Sequence, residues 1–401
     1  MKRFGKSFTQ QEPIPEAGIE AAIAVMRSGR LHRYNVEGDE IGEAAALEKE
    51  FARYLDIDYC LACASGGYAL QIAMRAVGVK PGDAVLCNGF TLAPVPGALH
   101  NVGAEPVWVE TTQQLSIDLD HLDAQAEASG AKYLLLSHMR GHMPDMERLM
   151  DICDRRGICV IEDCAHTMGA AWNGRKSGTF GHVGCFSTQS YKHLNSGEGG
   201  LLVSADEQVI ARAILHSGSY MLFERHGAAP PAAAFEAFIY DTPNYSGRMD
   251  NLRAAVLRPQ LRALDENCQR WNALYAVLEE RLRESDAILL PARLCEEQYV
   301  ASSIQFMLPR LSPAGFQALL ERCGGRGVDL KWFGAPRPKG YTSRFDDWRY
   351  FDSAADLPQT TSLLASLLDM RIPLTFNEED CELLAAIILE EVGEVHRHDG
   401  A

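Results

Sequence analysis

The runs ICVIEDCAHTMGA (158–170) and VGCFSTQSYKHLNSGEGGLLV (183–203) decide the fold. The first reads as a buried strand whose last residues are Glu162 and Asp163. This puts a carboxylate at the carboxyl edge of a sheet, where open α/β sheets bind ligands. The second opens as another strand, ends it near Ser187, and carries Lys192 into a glycine-rich turn where backbone can approach a ligand closely. A lysine held at a strand end in a confined site can lose its proton and form a Schiff base with an aldehyde or ketone. Taken alone, Lys192 reads better as an exposed loop lysine. The carboxylate 29 residues before it makes the chemical reading the stronger one.

Outward from these runs, short apolar segments alternate with helical-period segments from residue 57 to about 205, the pattern of a largely parallel sheet flanked by helices. The strands are expected at 59–63, 84–87, 106–109, 133–137, 158–162, 183–187 and 200–203, and helices at 67–77, 94–102, 120–129 and 145–156. Asp145 and Gly157 supply start and stop chemistry for the last of these helices. Asp83, after Pro81 and Gly82, is turn chemistry. Residues 226–245 read as an irregular excursion, and a long helical pattern follows at 249–284, which Pro259 kinks or divides. Strands at 303–308 and 327–333 and helices at 313–323 and 378–393 give a smaller C-terminal α+β domain. The expected division is 1–255 for the large domain and 256–401 for the small one.

Composition narrows the function classes. The 401 residues are 47% hydrophobic and 23% charged, near the globular average. A net charge of −16 repels polyanions, which disfavours nucleic acid and anionic membrane surfaces, so an anionic ligand needs a local site. No apolar run approaches the roughly 18 residues needed to cross a bilayer, and MKRFGKSFTQ lacks a secretory signal pattern. The expected location is the cytoplasm, where the 11 cysteines stay reduced. Cys60 and Cys63 form a CxxC spacing, but they lie in a strand-like run, and no metal is expected.

Two further features belong with Asp163 and Lys192. In CASGGYAL, Ser65, Gly66 and Gly67 join a strand to a helix and aim N–H groups at an anion, and Ser187 can add a hydroxyl. The turn has neither GxGxxG nor GK[ST], which lowers the dinucleotide and P-loop readings. The carboxylate of Asp163 could bind a metal, accept a proton, or keep a heteroaromatic nitrogen protonated, as pyridoxal phosphate requires.

In this order, a phosphate turn, a strand-end Asp and a Gly-flanked Lys, the chain resembles the DegT/DnrJ/EryC1/StrS family of pyridoxal-phosphate-dependent sugar aminotransferases. The resemblance rests on GVKPGDAVL (78–86), VGAEPVWVE (102–110), GHMPDMERL (141–149), VIEDCAHTMGA (160–170), the stretch Gly178 to Gly184, FSTQSYKHLNSGEGG (186–200), RMDNLRAAVLRPQL (248–261) and, more weakly, LPQTTSLLASLLDMRIPL (357–374). It implies a fold type I transferase with a mostly parallel seven-stranded sheet, working as a homodimer with shared active sites. Lys192 would form the internal aldimine with pyridoxal 5'-phosphate, Asp163 would pair with the pyridine nitrogen, and His166 would stand near the phenolic oxygen with a pH-dependent charge. Ser187, Gly66, Gly67 and Tyr68 would bind the phosphate, and Gln189 would face the substrate or cap a local turn.

Departures from the family pattern are also visible. Gly67 replaces the usual Thr, and the residue covering the ring is Phe90 or Leu92. Asn244 or Ser246 would reach the neighbouring subunit's phosphate. The segment 331–351 interleaves Lys331, Arg337, Lys339, Arg344 and Arg349 with aromatics, and reads either as a carboxylate or diphosphate site or as a solvated loop. The implied function is ping-pong transfer from a glutamate- or glutamine-like donor to a keto-sugar or ketocyclitol. A non-sugar ketone, aldehyde or keto acid, or a noncatalytic regulatory protein, are the alternatives. The related dehydratases carry His in place of the lysine, so Lys192 argues against them.

Overall fold

The computed structural model describes residues 2–219, 222–351 and 355–399. Its centre is a seven-stranded sheet. In spatial order the strands are Tyr59–Cys63, Gly200–Ser204, Val183–Ser187, Cys159–Asp163, Tyr133–Ser137, Ala84–Asn88 and Glu105–Val109. Gly200–Ser204 runs antiparallel to both neighbours, and the remaining pairings are parallel. The apolar runs of these strands are almost entirely buried because helices cover both faces. Asp118, Asp145 and Asp206 each cap the first N–H groups of the helix that follows.

The carboxyl edge is held by Glu162. Its buried carboxylate accepts from the N–H groups of Gly178, Phe180 and Gly181 at 3.0, 2.8 and 2.7 Å, and pairs with His138 Nε2 at 3.0 Å. Burial opposes its ionisation, but the hydrogen bond and charge of His138 and the N–H groups of Gly181 and Gly178 outweigh that and hold the carboxyl below its usual range. The glycines of this stretch are needed for space. A Cβ on Gly181 would stand 2.6 Å from the Val160 carbonyl oxygen, and one on Gly178 would enter the Phe186 ring. Glu162→Gln turns an amide N–H₂ toward backbone donors and is expected to cost about 3–5 kcal/mol, the range for breaking a buried charged network. Because the folded pKa is depressed, this stabilisation is present above the ordinary carboxyl range and lost as pH falls through the folded value. Urea unfolding should therefore show the variant's deficit shrinking in acid.

The smaller C-terminal part is an antiparallel sheet in the order Ser303–Met307, Leu367–Arg371, Lys331–Trp332, packed with the helices Pro313–Gly325 and Glu378–Asp399. The expected strand at 327–333 shortens to Lys331–Trp332. Gly327 has φ +84, and a Cβ there would strike the Phe4 carbonyl oxygen, so residues before Lys331 pack against the N-terminal segment rather than a neighbouring strand. The long helical pattern is divided, with helices Asn251–Arg262 and Leu264–Leu282 meeting at Ala263 and Pro259 inside the first. No described helix is long and apolar enough to cross a membrane.

Candidate active site

A cavity of about 730 Å³ opens at the carboxyl edge, between the large sheet and the C-terminal sheet. Among its lining residues are Ser65, Gly66, Gly67, Leu92, His166, Ser187, Gln189 and Lys192, so the structure brings most of the expected site together.

At one end the strand Tyr59–Cys63 turns into the helix Gly66–Ala76. Ser65 caps the helix, accepting from the Tyr68 N–H at 3.1 Å. The Tyr68 N–H thus has the Ser65 hydroxyl as its partner. Its hydroxyl donates to the His216 carbonyl oxygen at 3.0 Å. The turn is built tightly, since a Cβ on Gly66 would stand 2.7 Å from Ser187 Cβ and one on Gly200 would strike the Ser65 carbonyl oxygen. Gly67 meets only Pro94, at 3.6 Å, so a side chain would fit there.

Lys192 Nζ lies 2.8 Å from His166 Nε2. Burial lowers the lysine's pKa to about 7, with the charges of Arg140 and Arg371 adding and Asp163 opposing. Burial also holds His166 well below the usual histidine range, with Lys192 and Arg140 contributing. That direction favours the uncharged imidazole. Asp163 accepts from the Ala165 N–H at 3.1 Å and from Ser137 Oγ at 3.2 Å. Burial raises its pKa, and the Lys192 charge and these hydrogen bonds pull it back.

Other expectations separate. Leu92 lines the cavity, whereas Phe90 is fully buried against Phe333, ring centroids 4.9 Å apart, and does not line it. Gln189 lines the cavity and also caps its own turn, its Oε1 accepting from the Tyr191 N–H at 2.9 Å. Asn244 and Ser246 are outside the lining, and Asn244 Oδ1 accepts from the Ser246 N–H at 3.0 Å. From 331–351, Lys331 and Lys339 line the cavity, while Arg344 pairs with Asp346 at 2.6 Å and Arg337 and Arg349 are exposed. The sequence reading missed Arg140, Asp369 and Arg371, which enter the same cavity. Arg140 follows the end of a sheet strand, a position that strand-edge logic could have flagged.

A metal is a poor fit for the nearest ligand-like group among the described residues, His138, Glu162 and Cys164. The Glu162 oxygens already receive four donors, and burial pushes the Cys164 thiol well above its usual range. Pyridoxal phosphate fits better: a helix-start turn whose tight packing admits only glycine at position 66, with a serine hydroxyl beside it, a strand-end carboxylate, and a lysine with a depressed pKa. The fold and this residue set define a pyridoxal-phosphate-dependent transferase of fold type I.

Comparisons with known proteins carry this to a family. The model of the DegT/DnrJ/EryC1/StrS aminotransferase family matches residues 14–388, and the chain belongs to that family. It is 36% identical over 295 residues to an L-glutamine:2-deoxy-scyllo-inosose aminotransferase of Streptomyces kanamyceticus, over 72% of this chain and 64% of that protein. It is 28% identical over 395 residues to a pleiotropic regulatory protein of Geobacillus stearothermophilus, over 97% of each. A crystal structure of S. venezuelae DesV superposes with a TM-score of 0.78 at 25% identity, over 98% of this chain and 99% of that one.

Proposed function

We propose that this chain moves an amino group from an amino-acid donor, glutamate or glutamine in kind, to a keto acceptor of the keto-sugar or ketocyclitol class, as a cytoplasmic homodimer with shared sites. The observation that carries the reading is Lys192, its amine depressed to about 7 and set 2.8 Å from a neutral His166 in the cavity that also holds the Ser65–Gly67 turn. When bound, pyridoxal phosphate supplies an aldehyde that exchanges amino groups and a ring that takes up electrons from the substrate carbon.

The protein's part follows from its residues. Gly66, Gly67 and Ser187 hold the phosphate by N–H and hydroxyl groups. Asp163, kept in place by Ser137 and Ala165, holds the ring nitrogen's proton. Lys192 Nζ takes and returns the proton at the substrate's amino-bearing carbon, and a depressed pKa suits an amine to that task near neutrality. His166, uncharged, orients Lys192 through Nε2. Leu92 offers an apolar face to the ring. Asn244 or Ser246, outside this chain's own cavity, would serve a neighbouring copy.

The name of the 2-deoxy-scyllo-inosose aminotransferase supports a cyclitol or sugar acceptor. The end-to-end likeness to a pleiotropic regulatory protein carries a second reading, ligand binding without turnover. An acceptor screen separates them. Holoenzyme is first bleached with the donor alone, and then keto-sugars, ketocyclitols and simple keto acids are added singly. Recovery of the visible band by a keto-sugar or ketocyclitol faster than by the donor's own keto acid is the expected result. Recovery by simple keto acids only would overturn the acceptor class, and no bleaching at all would favour the regulatory reading.

A further inference from the structure

The C-terminal sheet brings a set of charges to the cavity that the steps above do not use. Lys331 is in register with Asp369 on the neighbouring strand, and Arg371 follows Asp369 by two residues, so all three share one face of the sheet. That face lines the cavity. Asp369 is already committed: Arg140 Nη2 lies 2.6 Å from one of its oxygens, and Gln305 Nε2 donates to the other at 2.8 Å. Lys339 is committed to Asp329 at 2.7 Å.

Arg371 and Lys331 make no direct ion pair or side-chain hydrogen bond among the described residues, and the acidic charge that acts on both, Asp369, is already held by Arg140 and Gln305. Each rests on an aromatic face instead, Arg371 4.1 Å from the centroid of Tyr191 and Lys331 4.9 Å from that of Phe333. Both are partly buried, and burial depresses both pKa values. Arg140 Nε is also buried with no hydrogen-bond partner. Flat stacking fixes a guanidinium while leaving its N–H edge free for a planar anion. Two unpaired, desolvated cations in one cavity of a protein with net charge −16 are costly unless a ligand brings the counter-charge.

We propose that Arg371 and Lys331 form an anion subsite shared by both substrates, holding the carboxylate of the amino-acid donor and then a carboxylate or phosphate ester on the acceptor. The acceptor half rests on the aminotransferase reading, because a ping-pong enzyme presents one cavity to both substrates in turn. An acceptor lacking an anion leaves both cations unpaired and binds correspondingly less well.

The test titrates holoenzyme by calorimetry with three unreactive probes: succinate, sorbitol 6-phosphate and neutral myo-inositol. Arg371→Gln and Lys331→Gln should each weaken an anionic probe by about 10- to 100-fold, the worth of a charge-assisted hydrogen bond. Binding of myo-inositol and the cofactor's visible band should stay unchanged, and Arg371→Lys should restore part of the affinity. Loss confined to succinate assigns a carboxylate on both substrates, loss of both anionic probes assigns a phosphate ester on the acceptor, and loss confined to sorbitol 6-phosphate would overturn the donor half. Anionic probes that bind wild type no better than myo-inositol, or variants that keep their anion affinity or lose all three probes alike, would overturn the proposal. Failure of the aminotransferase reading shows separately, as absence of donor bleaching in wild type, while the anion affinities are still measured.

Discussion

Lys192→Ala is expected to lower donor-dependent turnover by at least about 10⁴-fold, the upper range for one positioned acid–base group, since the covalent attachment is lost as well. The side chain does two things that no neighbour can take over. On the proposed function it is the amine beside the turn that would hold the phosphate, and its Nζ, 2.8 Å from His166 Nε2, would carry the proton at the reacting carbon. Lys331 and Lys339 share the cavity but stand on the C-terminal part with Phe333 and Asp329. The measurement is the single-turnover loss of the visible band with saturating donor. A variant within about tenfold of wild type would remove Lys192 from the chemistry. Stability shows whether the variant folds. In cofactor-free wild type the Lys192 pKa, about 7, lies below its ordinary 10.5. The unfolded chain therefore binds more protons in that window, and wild type gains stability as pH rises through it. The variant lacks that slope, so the difference in stability between the two should move in favour of wild type as pH rises.

Asp163→Asn should leave the protein folded and the cofactor bound, yet slow the donor half-reaction by about 10³-fold, the loss expected when a preorganised charge opposite a developing one is removed. The amide matches the carboxylate in shape and can still accept from Ser137 Oγ or the Ala165 N–H. What it lacks is the negative charge that keeps a ring nitrogen protonated. Burial has already raised the Asp163 pKa, so the site is one in which an approaching cation is strongly welcomed. Rapid-mixing absorbance with a fixed donor gives the rate. A decrease of less than about tenfold would mean that Asp163 is only a structural acceptor for Ser137 and Ala165.

The sheet was legible because its strands are buried on both sides and bounded by turn chemistry. YLLLS and VGCFS are apolar runs that no exposed loop would carry, and the strands fall at Tyr133–Ser137 and Val183–Ser187. The strand expected at 327–333 misled because its apolar residues serve a contact with the N-terminal segment, which sequence spacing does not encode. Asp163 and the Ser65–Gly67 turn could be placed because each lies at or just past a strand end, where direction is set by the sheet, and Lys192 because it sits in the turn that follows Val183–Ser187. Phe90 and Leu92 lie just past the strand Ala84–Asn88, where strand alternation no longer says which side chain turns inward. Arg140, Lys331 and the pair Asp369 and Arg371 come from three separate stretches and meet only when the C-terminal sheet docks on the large one. The glycine stretch 178–184 stands out by resemblance, but its physical reason is a loop folded onto Glu162, a contact that sequence spacing does not encode.

The central claim is that Lys192 holds the cofactor through which the amino group passes. Reduction of pyridoxal-phosphate-loaded protein with borohydride, followed by proteolysis and mass spectrometry, tests it most directly. One phosphopyridoxyl group per chain is expected, on the peptide containing Lys192, and none when the protein is first exhausted with donor. Labelling at Lys176, Lys331 or Lys339 instead, or no label at any lysine, would contradict it.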